Sequence, residues 1–517
     1  MAEHGLKKWI ITITVILAAL LELIDTTVVN VSLNDIMGNL GATLEDVAWV
    51  VTAYALANVI IVPMTGWLSA KFGRRNYFVF SILLFTLASF FCGNANSIWE
   101  LVFFRFIQGL GGGALLSTSQ AILFETFPKE EAGMATALFG IGVVVGPTIG
   151  PTLGGYITDN FGWRWIFFVN IPLGMFAAFM TLTFIKDSIH NMKIGKNDWF
   201  GIALLVIGLG SLQTFLERGQ SEDWFATPYI AVLAVTAVLG LIGFVWREFS
   251  VEFPIVNFRV LGNRSLFVGA IFTFILGLGL FGSVFAFPIF AQQLLGFTAQ
   301  QTGLLLMPGS LATIFMMPWV GILMKKKFPP QIMAGVGFIL FFISMWMLSK
   351  STLQSGEKDF LIPLIVRGVG LSLLFVPLTT LALSPLPPKD IAQGAGLNNM
   401  MRQLGGSFGV ALMTTFIARR IAYHRGVLLM NFNIFNNATQ ERLASMTAAF
   451  LSKGYSSATA SKMATAAMDG FLSKQVALLS YMDAFFVVGL FLLCCVPLLI
   501  LQRTPKDKPD ADLSAAH

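Results

Sequence analysis

From residue 9 to residue 501 the chain alternates long apolar runs with short polar breaks rich in Gly, Pro and basic residues. A helix needs about 20 apolar residues to cross a bilayer. Fourteen runs meet that length, near 9–33, 47–69, 77–95, 98–122, 134–157, 163–185, 199–217, 228–247, 266–290, 300–324, 332–350, 360–384, 392–418 and 478–501. The pattern predicts an all-α membrane protein with fourteen spanning helices. An even number puts both ends on one side. The first run is too long for a signal peptide and no small-residue cleavage site follows it, so it reads as a span. One longer polar stretch, 419–477, holds two helix-favouring segments at 440–446 and 462–468. It reads as one or two amphipathic helices on the outer face.

Composition agrees with a polytopic protein. Of 517 residues, 56% are hydrophobic and 12% charged, against about 25% charged in a soluble domain. The formal charge of +6 does not point to nucleic acid, because the basic residues cluster between apolar runs. With the N-terminus inside, the inner loops hold nineteen Lys and Arg and the short outer loops four. The positive-inside rule then places both termini in the cytoplasm. Cys92, Cys494 and Cys495 fall within apolar runs and read as buried thiols. All four histidines lie outside the spans, which argues against an intramembrane zinc or His-base site. No Gly-x-x-x-x-Gly-Lys-Ser/Thr loop is present, so ATP is not the expected driver.

Charges inside the spans are the candidate chemistry. Glu22 and Asp25 sit three apart in the first span and so share a helix face. A charge at mid-bilayer costs about 2.5–3.5 kcal/mol on insertion scales, so such acids look into a bundle or wet cavity. They read as a proton or cation site; for Glu22 the alternative is a side chain near the outer end that reaches water. Arg105 in the fourth span keeps its charge in any setting and needs a partner. In the thirteenth span Asn398, Asn399 and Arg402 lie within one turn. With Gln108 they form a candidate polar or substrate pocket, in which Arg402 pairs with a distant acid or a substrate anion. A structural hydrogen-bond cluster is the other reading.

The chain also repeats itself. Pro63-x-x-Gly66-x-Leu68-x-x-Lys71 recurs as Pro318-x-x-Gly321-x-Leu323-x-x-Lys326, and Arg105 is echoed by Arg367. The repeat predicts two related six-helix halves, 1–190 and 261–505. Residues 191–260 would hold two inserted helices, and 506–517 a tail. Repeated halves with a site at their interface are a transporter design.

Three further motifs identify a family. Gly66-Trp-Leu-Ser-Ala-Lys71-Phe-Gly73-Arg74-Arg75 resembles the loop between helices 2 and 3 of the major facilitator superfamily, although the usual acid is Ala70 here. The run from Phe103 through Arg105 and Gln108 to Gly113 resembles that superfamily's fourth-helix signature. Gly140-Ile-Gly142-Val-Val-Val-Gly146-Pro147-Thr-Ile-Gly150-Pro151-Thr-Leu-Gly154-Gly155 resembles the antiporter motif of its drug exporters. The glycines give the fifth span a flat face, and the prolines let it bend. Together with the stretches 24–31 and 163–174, these resemble the fourteen-span drug/proton antiporters of the EmrB/QacA group.

The resemblance implies two six-helix bundles plus two inserted helices, in a bacterial inner membrane. It implies a proton-coupled exporter of small amphipathic compounds, driven by the proton gradient without a cofactor. It pairs Asp25 with Arg105, and it makes 419–477 a place where a periplasmic adaptor could dock and hand substrate to an outer-membrane channel. Alternatives are an exporter of an endogenous metabolite, lipid or fatty acid, and an uncoupled uniporter or channel. An intramembrane enzyme lacks the nucleophile, base or metal ligands it would need.

Overall fold

The computed structural model describes residues 5–187, 197–432 and 436–501. His190, Lys193, Lys196 and the predicted tail 506–517 lie outside them. Among the described residues all regular structure is helical. The order is α1 (Leu6–Leu40), α2 (Leu44–Phe72), α3 (Arg74–Asn94), α4 (Ile98–Thr126), α5 (Ala132–Phe161), α6 (Trp165–Phe168), α7 (Asn170–Phe184), α8 (Trp199–Arg218) and α9 (Pro228–Ser250). It continues with α10 (Arg264–Ile289), α11 (Ala299–Lys325), α12 (Pro330–Leu348), α13 (Glu357–Leu383), α14 (Ile391–Asn431), α15 (Asn437–Ser452) and α16 (Ser457–Cys494).

Polar side chains between the apolar runs start several of these helices. Thr43 caps α2 through the Asp46 amide, Ser97 caps α4 through the Glu100 amide, and Thr298 caps α11 through the Gln301 amide. Gly73 alone separates α2 from α3; its φ of 82° is a backbone conformation that side-chain-bearing residues rarely adopt.

Among the described residues thirteen helical segments are long and apolar enough to cross a membrane, so this is a multi-pass membrane protein. They are apolar outside as well as inside. Phe176, Phe179, Trp246, Phe315 and Trp319 are exposed, a surface suited to lipid rather than water. The predicted span 392–418 is helical but is not among the thirteen. It forms the first part of α14, where Asn398, Asn399, Arg402 and Gln403 dilute the apolar run. α14 packs instead among α2, α4, α10 and α16, so its polar residues face other helices. The stretch 419–477 is helical at both predicted segments but is less separate from the spans than expected. α14 continues unbroken to Asn431 and α16 begins at Ser457, so most of the stretch is extension of long helices. α15 is the one separate helix, and it packs on α16.

Two seams bring together the segments that carry the repeat. α2 packs on α14, and α5 packs on α11. Both are close: a Cβ on Gly66 would meet Gln393, and one on Gly321 would lie 3.1 Å from the Met134 Cα. α8 packs on α2 and α14 with α9 outside it, and α9 is the least buried of the thirteen.

Candidate functional site

Asp25 sits in the middle of α1 and is 1% exposed. One carboxylate oxygen accepts from Arg105 Nη1 of α4 at 2.5 Å. The other accepts from Gln108 Nε2 at 2.9 Å and from Asn170 Nδ2 of α7 at 2.8 Å. Arg105 spends its remaining donors inside the same cluster. Its Nη1 also reaches Gln108 Oε1 at 2.7 Å, and its Nε donates to the Val50 carbonyl of α2 at 3.2 Å. The Tyr54 ring lies 4.2 Å below the guanidinium. Ser89 of α3 takes a further bond from Gln108 at 2.6 Å. Five helices therefore meet in one hydrogen-bonded cluster around this carboxylate. An ion pair this buried is tolerable because its polar atoms are bonded, and losing either partner orphans the other.

Glu22 occupies a separate place. It is 3% exposed, its Oε1 accepts from Asn58 Nδ2 of α2 at 2.7 Å, and its Oε2 has no partner. Asn58 in turn accepts from Gln403 Nε2 of α14 at 2.8 Å. This chain crosses the α2–α14 seam. The expectation that Glu22 shares a face with Asp25 meets a geometric limit: three residues turn a helix by about 300°, enough to hand the two acids different neighbours.

The remaining predicted polar residues are not gathered into one pocket. Gln108 belongs to the Asp25 cluster. Asn398 accepts from Thr273 of α10 at 2.8 Å, while Asn399 donates to Gln120 of α4 at 2.8 Å. Arg402 is 4% exposed, and its guanidinium lies 5.6 Å from the Phe375 ring and 6.0 Å from the Phe139 ring. Asn170, Ser89, Asn58 and Tyr54 were not among the predicted site residues. Asn170 was visible within the 163–174 motif; Ser89 and Asn58 are single polar residues in apolar runs, a weak signal.

The glycine face of α5 lies on the acid-bearing part of α1. A Cβ added at Gly142 would meet Ile16 at 3.4 Å, at Gly154 the Val28 Cα at 3.0 Å, and at Gly155 Val31 at 3.9 Å. At Gly146 it would strike Leu23, and at Gly150 Thr27. Pro147 and Pro151 both lie inside the helix. The basic residues of the α2–α3 turn are each tied down. Lys71 donates to Asn197 at 2.7 Å, Arg74 pairs with Glu125 of α4, and the Arg75 amide donates to Asp187 at 2.9 Å.

Comparisons with known proteins place this geometry. A model of the Major Facilitator Superfamily matches residues 15–410. The chain is 34% identical over 440 residues to the "Multidrug export protein EmrB" of Escherichia coli K12, covering 84% of this chain and 85% of that one. It is 31% identical over 495 residues to the "Fatty acid resistance protein FarB" of Neisseria gonorrhoeae, covering 96% of each. Among solved structures, the human organic anion transporter MFSD10 covers 94% of this chain and 99% of its own, with a TM-score of 0.58 and 12% identity, a likeness of fold. The chain belongs to the major facilitator superfamily, as an EmrB-like transporter.

Proposed function

We propose that this protein is a proton-coupled multidrug efflux transporter that exports amphipathic compounds by alternating access. The observation that carries the reading is the buried Asp25 carboxylate, held by Arg105, Gln108 and Asn170 where five helices meet. A proton on Asp25 cancels the charge that holds Arg105 and loosens every helix tied to it. Substrate and proton then favour different arrangements of the same helices. One charge moving through 100 mV is worth about 2.3 kcal/mol, enough to drive an uphill step. The names of the relatives from Escherichia coli and Haemophilus influenzae, both multidrug export proteins, support this substrate range. The name of the gonococcal relative supports export of fatty acids as a second reading.

In this reading α14 is the thirteenth of fourteen spans. The bundles are 1–190 and 261–505, with α8 and α9 inserted, both termini cytoplasmic and the protein in the inner membrane. Glu131, in the turn before α5, bridges Lys8 of α1 at 2.5 Å and Lys325 of α11 at 2.9 Å. With that topology the bridge ties the two bundles on the cytoplasmic side. The outer parts of α14 and α16, with α15, are the surface an adaptor would meet. The gradient is the only energy source required, no cofactor takes part, and no substrate bond is broken.

The test is dye accumulation in inverted vesicles. Ethidium should accumulate when a pH gradient is imposed and leak away when an uncoupler collapses it. Accumulation indifferent to the gradient would leave a uniporter or channel instead.

A further inference from the structure

We infer that Arg402 is the anchor for the anionic head of an amphipathic substrate, whose apolar body lies against Phe139 and Phe375. The inference rests on the efflux reading above and makes Arg402 the point that admits organic anions with an aromatic or aliphatic body among the exported compounds.

The argument begins with what a buried arginine normally has. Arg105 shows it: a carboxylate, a glutamine and a carbonyl take its donors. Arg402 is buried as deeply, yet its Nη1 has no partner, and among the described residues no carboxylate lies within ion-pair distance. Arg367 of α13 repeats the pattern, 6% exposed with an unpartnered Nη1. The helices after α9 thus bury two guanidiniums and no paired acid beside them. A buried charge left in this state is costly, and an anionic ligand removes the cost when it binds.

The surroundings select the rest of the ligand. Arg402 comes from α14, Phe375 from α13 and Phe139 from α5, so the place spans helices of both repeat-bearing segments. The two rings face each other at 6.4 Å with planes 29° apart. Both rings are buried beside a planar donor fork that matches a carboxylate or sulfonate in two-pronged fashion.

The experiment uses two probes that share a body and differ in head charge, 1-pyrenebutyrate and 1-pyrenebutylammonium. Their fluorescence is titrated with the full chain in lipid nanodiscs. Wild type should bind the carboxylate about tenfold or more tighter than the ammonium, the size expected of a charge-assisted pair. Arg402→Gln should lose that preference by weakening the carboxylate alone. Arg402→Lys keeps the charge without the fork and should lose severalfold for the carboxylate alone; it carries the test if the glutamine variant does not fold. Equal weakening of both probes in either folded variant would make Arg402 a packing residue and overturn the inference. So would a wild type with no preference between heads. Ethidium accumulation measured on the same protein separates the two claims: its independence of the pH gradient would overturn the efflux reading whatever the pyrene probes show.

Discussion

Arg105→Leu should abolish transport and lower stability by about 3–5 kcal/mol, the usual cost of removing one partner from a buried ion pair. The leucine fills much of the space but leaves Asp25 buried in the cluster with no cation. Gln108 and Asn170 still donate to one oxygen, while the oxygen that faced Arg105 is stripped. The double variant Asp25→Asn/Arg105→Gln removes both charges and should recover most of the folded yield, because neutral amides can bond to one another. It should not recover proton coupling. Thermal unfolding of the purified protein, read beside transport, checks both parts. A single variant as stable as wild type would mean that water or another cation already serves Asp25.

Gly150→Leu is expected to have the second largest effect. The added side chain starts against Thr27, at the stretch of α1 between Asp25 and Val28. Overpacking of this kind costs about 1–3 kcal/mol, and here it also wedges α5 off the helix that carries Asp25. Transport should fall at least tenfold even where folded protein is obtained. Gly155→Ala is the control on the same helix. Its Cβ would meet Val31 at 3.9 Å, ordinary contact, and transport should stay close to wild type. Equal effects at the two positions would mean that the glycine face does not govern how α5 sits on α1.

Much of this architecture can be read from the sequence because the bilayer imposes it. Apolar length marks the spans, and the cost of burying Arg105 makes a partner necessary, which the structure supplies in Asp25. The readings that the structure qualifies share a cause. The α14 span was found by length but falls short in apolarity, since a helix surrounded by protein is free to carry Asn398, Asn399 and Arg402. Those three were expected to face one pocket; α14 is surrounded by other helices, so successive residues meet different partners. The two helix-favouring segments of 419–477 are helical, but the second runs on into a spanning helix, because polar residues end a membrane span without ending a helix. Asn170, Ser89 and Asn58 gave no strong signal, because one amide or hydroxyl in an apolar run costs little to carry and has many structural uses.

The most direct test of proton coupling at Asp25 is proton movement driven by substrate. The protein is reconstituted in liposomes with a pH dye inside, and ethidium is added outside, wild type beside Asp25→Asn. Wild type should change the internal pH on substrate addition, and Asp25→Asn should bind ethidium without moving protons. Full proton movement in Asp25→Asn would contradict the account and shift the proton site to another acid, with buried Glu22 the first to examine.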